Sequence, residues 1–448
     1  MSQSEQYSHL FTLDPARDYP CLVRGEGVYV YDEKGREYLD AIAGIGVVNI
    51  GYGRERVADA MARQAAQLSY AAPNIFNNEP TRRLAEYLAR LLPGDLKSVH
   101  FTSGGSEAVE AAIKIGRQYY YERGLESKSL VISRWTSYHG ATLGALSATG
   151  MQGRRKKFAP LLQEWPHIPP AYCYRCSYGK AYPGCSLLCA EELEDTINKM
   201  GADRVMAFIA EPVVGAAGAA LVPPPEYWPA VRDICARHDI LLIADEVITG
   251  FGRTGKPFAV NHWDVVPDMI TMAKGLGGGY ASLGAVGVST RIRGVFKEKH
   301  MPFDHIFTFM SNPVSTAAAY EALQIWAEEN LTDQAAQMSG YLFDQLAGLQ
   351  QDHPMIGDIR GLGLMAGIEL VADRSTKEPF PVERTAAKAV GRVALENGLV
   401  VYPATGVVGG VRGDIISLFP PLIFTRQHVD ELVRKLDITL TQVGQILK

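Results

Sequence analysis

The stretch ILLIADEVITGFGRTG, residues 240–255, begins as an unbroken apolar run and ends in two carboxylates and a glycine-rich turn. Continuous rather than alternating hydrophobicity favours a strand that is buried on both faces of a sheet. Asp245 and Glu246 then stand at the end of that strand, where a carboxylate without a partner is costly. We therefore expect a positively charged or hydrogen-bonding group to meet this strand end.

Similar apolar runs flank this stretch and alternate with segments of helical periodicity. The runs are SVHFT, LVIS, VMAFIA, MITMA and AVGVS, and the clearest helical segments span about Val57 to Leu92 and Val314 to Glu329. Such alternation is typical of an α/β fold with a mostly parallel sheet covered by helices on both faces. We expect a large domain over residues 60–317 and a smaller α+β domain built from both chain ends, residues 1–59 and 318–448.

Composition and charge narrow the class of protein. The chain has 448 residues, 47% of them hydrophobic and 21% charged, with a net charge of −5. These values are ordinary for a globular protein and give no basic footprint for nucleic acid. No apolar run approaches the length of a membrane span, and the first twenty residues lack a secretory pattern. We expect a soluble, cytoplasmic protein.

Residues that follow the other predicted strands also carry chemistry. SVHFT is followed by SGGS, residues 103–106, at the start of a helix, where backbone N–H groups suit an anion. LVIS leads to Tyr138 and His139, and the aromatic ring of Tyr138 could stack on a planar cofactor. VMAFIA is followed by Glu211, and MITMA by Lys274, with four glycines in the next five positions. Taken singly, each has a plainer interpretation: a helix cap, a core tyrosine or a buried ion pair.

Together, a phosphate cradle, an aromatic plate, a buried aspartate and a buried lysine are what pyridoxal 5′-phosphate (PLP) requires. The lysine amine forms a Schiff base with the aldehyde, and the aspartate pairs with the protonated ring nitrogen. A dinucleotide site is a weaker interpretation of GLGGGY, residues 275–280, because Tyr280 replaces the last glycine of the fingerprint and no helix follows.

LLIADEVITGFGRTG followed by Lys274 resembles the signature of the class III, fold-type I aminotransferases. SGGSEAVEAAIK, YHG, AEPV and FTFMSNPVS extend the resemblance along nearly the whole chain. It implies PLP as cofactor, a seven-stranded sheet in the large domain, and a homodimer with active sites at the subunit interface.

The resemblance also implies roles for single residues. Lys274 would carry the cofactor, and Asp245 would hold its ring nitrogen. The ring would lie between Tyr138 and Val247, with His139 and Glu211 nearby. The phosphate-binding residues implied are Gly105, Ser106 and, from the neighbouring subunit, Thr308.

Three positions bear on the substrate. Arg412 resembles the mobile arginine of amine:pyruvate members, which suits a carboxylate; a solvated loop arginine is the plainer interpretation. Gly46 stands where many amine transaminases carry a bulky aromatic, and Phe76 is a plausible pocket wall or core residue. We expect an ω-amine or ω-amino acid:pyruvate transaminase with a ping-pong mechanism. A taurine-, GABA- or β-alanine-type transaminase, a diaminopelargonate-type enzyme, and a PLP decarboxylase or mutase are the alternatives.

The segment CYRCSYGKAYPGCSLLC, residues 173–189, concentrates four of the six cysteines. Cys173, Cys176, Cys185 and Cys189 could bind zinc, form disulfides or stay as reduced thiols. The short, irregular spacing disfavours zinc. We therefore expect no metal at the active site and leave the state of these cysteines open.

Overall fold

The computed structural model describes residues 9–14 and 16–447. A seven-stranded sheet lies at its centre, in the order β4-β10-β9-β8-β7-β5-β6, and only β10 runs antiparallel to its neighbours. These strands are β4 (Leu96–Thr102), β5 (Leu130–Arg134), β6 (His167–Ile168), β7 (Val205–Ala210), β8 (Leu241–Asp245), β9 (Met269–Met272) and β10 (Gly284–Ser289). All six apolar runs of the sequence are strands, and the predicted mostly parallel α/β sheet is confirmed.

Helices cover both faces of this sheet. The helices of the central region are α4 (Gly105–Glu122), α5 (Leu143–Ala148), α6 (Gln152–Arg155), α7 (Leu188–Met200), α8 (Tyr227–Arg237) and α9 (Thr290–Lys299). Within β8, Leu241 and Ile243 pack in one cluster with α4, whereas Leu242 packs on the other side with Trp228 of α8. Because both faces are covered, every residue of β7 and β8 is buried, which explains their unbroken hydrophobicity.

The two chain ends meet in a small sheet of the order β1-β2-β3-β13, and a third sheet has the order β11-β12-β15-β14. Their strands are β1 (Leu22–Glu26), β2 (Tyr29–Asp32), β3 (Glu37–Asp40), β11 (Ile356–Leu362), β12 (Met365–Leu370), β13 (Leu399–Val400), β14 (Tyr402–Val408) and β15 (Arg412–Leu418). The parallel pairing of β3 with β13 joins segments that are far apart in sequence. The domain boundaries expected after residues 59 and 317 stay a prediction.

The remaining helices are α1 (Ala43–Gly46), α2 (Glu55–Gln67), α3 (Glu79–Leu91), α10 (Pro313–Glu328), α11 (Leu331–Asp352), α12 (Ala386–Glu396) and α13 (Arg426–Ile446). The helical segment expected from about Val57 to Leu92 is two helices, and the expectation is wrong for residues 68–78, which separate α2 from α3. The side chain of Asn78 accepts a hydrogen bond from the backbone N–H of Thr81 at 3.0 Å, which caps α3 and starts a new helix. Across the described part of the chain, no helix has the length and apolar character that a membrane span requires.

Candidate active site

The carboxyl ends of β4, β5, β7, β8 and β9 lie at one edge of the central sheet, where ligands bind in open α/β folds. A cavity of about 460 Å³ opens there. It is lined by eight of the residues predicted from the sequence: Gly105, Ser106, Tyr138, His139, Glu211, Asp245, Val247 and Lys274. The fold therefore brings together side chains that are separated by up to 169 positions in sequence (274 − 105).

Asp245 is held rigidly at the floor of this cavity. Its Oδ1 accepts hydrogen bonds from the backbone N–H of Val247 at 3.1 Å and from the hydroxyl of Thr271 at 3.0 Å. Its Oδ2 lies 2.6 Å from Nδ1 of His139, whose Nε2 is buried and has no hydrogen-bond partner among the described residues. The carboxylate is thus fixed in position by three neighbours while it still lines the cavity.

Thr271 is a site residue that the sequence analysis missed. It lies inside the apolar run of β9, and the parallel register places it opposite Asp245. A hydroxyl within a buried strand, next to a strand that ends in a carboxylate, is the signal that could have identified it.

Glu211 is also buried, but its carboxylate is occupied by the backbone. Oε1 accepts from the N–H of Tyr138 at 3.0 Å, and Oε2 accepts from the N–H of Gly215 at 2.7 Å. Burial raises the pKa of Glu211, while nearby His139 opposes that shift. Glu211 therefore fixes the main chain that carries the Tyr138 ring at the cavity wall.

Glu246 has a structural role, and the hydrogen-bonding groups that meet its carboxylate belong to the protein itself. Its oxygens accept hydrogen bonds from the backbone N–H groups of Ala259 and Val260, at 3.0 and 2.9 Å, and from the hydroxyl of Thr249. The side chain is fully buried away from the cavity. It anchors the loop that follows β8.

Lys274 follows β9 and lines the same cavity as Asp245 and Glu211. Burial lowers the pKa of its amine to about 8, against the charges of Glu211 and Asp245, which favour the protonated form. Its backbone has φ 44°, in the left-handed region that a lysine seldom adopts. The adjacent Gly275 explains the glycine-rich stretch, because a Cβ there would lie 2.4 Å from the side-chain amide of Asn49.

The N-terminus of α4 forms the other side of the cavity. Gly105 begins this 18-residue helix, and a Cβ on it would lie 3.1 Å from the Val247 side chain. The hydroxyl of Ser106 accepts a hydrogen bond from the N–H of Ala141 at 3.1 Å. Free N–H groups at the start of a long helix, without a capping side chain, suit a phosphate.

Of the predicted substrate residues, Gly46 lies beside the cavity and Arg412 lies away from it. Gly46, with φ 72°, would place a Cβ 3.5 Å from Ile248, which lines the cavity. Arg412 lies outside the cavity and pairs with Glu378 at 3.0 Å, with both side chains about half exposed. The role of each in substrate binding stays a prediction.

Phe76 and Thr308 lie at the surface, apart from the cavity of their own chain. Phe76 lines a separate cavity of about 390 Å³ and is 65% exposed. The backbone carbonyl of Thr308 accepts a hydrogen bond from the hydroxyl of Tyr70 at 3.0 Å. Their predicted roles, Phe76 as a pocket wall and Thr308 as a phosphate ligand for a neighbouring subunit, stay predictions.

The four clustered cysteines line one small cavity near β6, and all are free thiols in the structure. Burial and the neighbouring thiols raise the pKa of Cys189 to about 11, which makes it a poor nucleophile at neutral pH. Among residues 9–14 and 16–447, no group of three or more histidines, cysteines, aspartates or glutamates is arranged to hold a metal ion.

Comparison with known proteins decides the family. The model of the aminotransferase class-III family matches residues 14–440. The chain belongs to the class-III aminotransferases. It is 36% identical over 437 residues to a putrescine–pyruvate aminotransferase of Pseudomonas aeruginosa. The aligned residues cover 94% of this chain and 92% of that relative. It is 37% identical over 428 residues to a taurine–pyruvate aminotransferase of Bilophila wadsworthia, with the same coverage of 94% and 92%.

Solved structures agree with this assignment. A thermostable (S)-enantioselective omega-transaminase from Thermomicrobium roseum matches this aminotransferase with a TM-score of 0.92 and 37% identity, covering 99% of each chain. The fold is therefore that of the fold-type I transaminases, and the cofactor of this family is PLP.

The cavity fits that cofactor. The buried Asp245 carboxylate suits a protonated ring nitrogen, and the N–H groups at Gly105 and Ser106 suit a phosphate. Bound there, PLP supplies an electron-withdrawing ring that acidifies the carbon bearing the amine. Lys274, with a pKa near 8, is matched to give and take a proton at Nζ near neutral pH.

Proposed function

We propose that this aminotransferase moves the amino group of an ω-amine or ω-amino acid to a keto acid such as pyruvate. The observation that carries the proposal is a single cavity lined by Lys274, whose amine has a lowered pKa, and by the hydrogen-bonded pair of Asp245 and His139. The named relatives act on putrescine and on taurine, two amines whose amino groups are terminal, with pyruvate. The reaction is ping-pong: the deaminated donor leaves before the keto acid binds.

Each residue has a defined part in this proposal. Lys274 holds the cofactor and transfers a proton at Nζ. Asp245, oriented by His139, keeps the ring nitrogen protonated, and Tyr138 covers one face of the ring while Val247 supports the other. The phosphate is bound by Gly105, Ser106 and Thr308 of a second copy.

The proposal includes a homodimer. Large apolar side chains are exposed around two neighbouring segments, residues 68–76 and 306–310: Ile75 is 69% exposed, Phe76 65% and Phe309 62%. The Tyr70 and Phe309 rings contact each other edge to face, at 6.0 Å between centroids. We name these segments the 68–76/306–310 surface. An exposed apolar surface of this kind is typical of an interface.

Spectroscopy and product analysis test the activity. The purified protein should bind PLP and absorb in the visible range, and a panel of donors without acceptor should bleach that band. Added pyruvate should then restore the band and form alanine, whereas Lys274→Ala should do neither. Bleaching without alanine formation would contradict pyruvate as the acceptor.

A transaminase for donors with a distal acid, such as taurine, GABA or β-alanine, is the second candidate. It is favoured by the taurine–pyruvate aminotransferase among the relatives of this chain. In the same panel, it predicts the highest kcat/KM for the acidic donors.

A further inference from the structure

A second cavity of about 420 Å³ adjoins the one that contains Lys274. Tyr138 lines the first cavity and packs in one cluster with Tyr172, Met151, Ala217 and Val407, all of which line the second. Tyr138 lines only the first cavity, and its cluster places it against residues that line the second. A substrate bound by its amine in the first cavity has the second cavity as the adjacent space for its far end.

Arg175 is a charged side chain that lines this second cavity. Its Nε donates a hydrogen bond to Oε1 of Glu369, and its guanidinium lies 5.3 Å from the centre of the Tyr174 ring. Within the described chain, neither terminal nitrogen has an acceptor in hydrogen-bonding distance, and Nη2 is buried. Its side chain is 16% exposed, and the buried Nη2 has no acceptor from the described residues in place of water.

Glu369 has hydrogen-bond donors besides Arg175. Its Oε2 accepts from the hydroxyl of Tyr172 and from Nη1 of Arg360 at 2.9 Å. Arg360, in turn, is saturated by Asp358 at 2.7 Å and by the carbonyls of residues 218 and 219, at 2.7 and 2.9 Å. The two arginines and two carboxylates of this network balance in charge, but the terminal nitrogens of Arg175 have no acceptor among the described residues, which favours an acceptor such as an anion in the cavity.

Arg412 is a poor alternative for the same task. Its partner Glu378 is on the surface, and Arg412 lines neither cavity. The β14–β15 hairpin that does line the second cavity presents Gly406, Gly409 and Gly410 instead of a cation.

We propose that Arg175 binds the carboxylate or sulfonate of the substrate and so determines the preference for acidic donors and keto acids. A planar guanidinium with two free nitrogens binds such a group through two parallel hydrogen bonds. Anchoring Nε to Glu369 holds the guanidinium in place before the substrate arrives. This inference rests on the proposed transaminase function and specifies its substrate class.

Steady-state kinetics of Arg175→Gln and Arg175→Lys test it. Donors would be β-alanine, taurine and a neutral amine, 1-aminobutane; acceptors would be pyruvate and an uncharged aldehyde, butanal. We expect Arg175→Gln to raise KM for the acidic compounds about 10- to 100-fold, the size of a lost charge-assisted interaction. KM for 1-aminobutane and butanal should change less than about twofold. Arg175→Lys should recover part of the loss, since it keeps the charge without the planar fork.

Comparing donors with acceptors shows which substrate carries the anion that Arg175 binds. A control variant and a binding measurement distinguish this effect from misfolding. A rise in KM for β-alanine and taurine alone assigns Arg175 to the donor, and a rise for pyruvate alone assigns it to the acceptor; either supports the proposal. Arg392→Gln, which removes a surface pair with Glu396, should leave every KM unchanged. In addition, the unreactive dicarboxylate glutarate should raise the melting temperature of the wild type and not that of Arg175→Gln.

Unchanged KM values for all acidic compounds in a folded Arg175→Gln enzyme would overturn the proposal, as would the same loss in Arg412→Gln alone. A wild-type enzyme that no amine bleaches would instead overturn the proposed function, so the two failures are distinguishable.

Discussion

Lys274 combines a left-handed backbone, φ 44°, with a pKa that burial lowers to about 8. The neutral amine is the nucleophile, and it predominates only above that pKa. Apoenzyme should therefore take up PLP faster as pH rises from 7 to 9, with the midpoint of the increase near 8. Stopped-flow absorbance measures the rate. A midpoint near 10, the value of an ordinary exposed lysine, would contradict the burial of this amine.

In the proposed function, His139 acts through Asp245. Replacing it with alanine removes the contact at 2.6 Å and leaves one carboxylate oxygen without its partner. We expect His139→Ala to lower kcat by about 10- to 100-fold, the range for neighbours that orient a functional ligand. His139→Asn, which keeps a donor, should recover part of the loss. The absorbance of bound PLP should persist in both variants; its disappearance would show that the histidine acts in binding instead.

Six of the seven strands of the large sheet were predictable from the sequence, whereas β6 and the contacts between residues of different strands were not. Burial on both faces makes each strand a continuous apolar run, so the residues at strand ends, Asp245 and Lys274 among them, could be located from sequence. The contact between His139 and Asp245 spans 106 positions and depends on the strand order. The surface pair of Arg412 with Glu378 depends in the same way on how the third sheet folds.

The helix prediction failed at residues 68–78 for a physical reason. The apolar residues there, including Ile75 and Phe76, are exposed rather than packed on the core of this chain. A pattern of apolar residues does not reveal whether the same chain or another covers them.

Strand β12 lies in close contact with the backbone of the loop that follows Glu211, a residue of the active-site cavity. A Cβ on Gly367 would lie 1.9 Å from the carbonyl oxygen of Ala219, in the loop after Glu211, and Arg360 donates to the same carbonyl. We expect Gly367→Ala to lower the free energy of unfolding by about 1–3 kcal/mol or more, as overpacking does. Gly340→Ala is the matched control: α11 has open space there, so the change should add up to about 1 kcal/mol. Urea unfolding measures both, and equal effects would contradict the contact.

In the proposed homodimer, the phosphate site is complete only with Thr308 from a second copy. In one chain, Thr308 is at the surface, and its carbonyl is held by Tyr70, within the 68–76/306–310 surface. Pairing of two such surfaces would bury apolar side chains and complete both active sites at once. Cofactor affinity and subunit association should therefore be coupled.

Phe309→Asp tests this coupling, because a carboxylate at the centre of an apolar interface is costly to desolvate. We expect a monomer by light scattering and PLP affinity reduced at least about tenfold, which corresponds to about 1.4 kcal/mol. Val382→Asp is the matched control, since Val382 is also exposed, at 49%, and lies outside that surface. It should remain a dimer with unchanged affinity for PLP. A dimeric Phe309→Asp with wild-type affinity would place the interface elsewhere, whereas a monomer with undiminished affinity would show that each chain binds the phosphate without help from a partner.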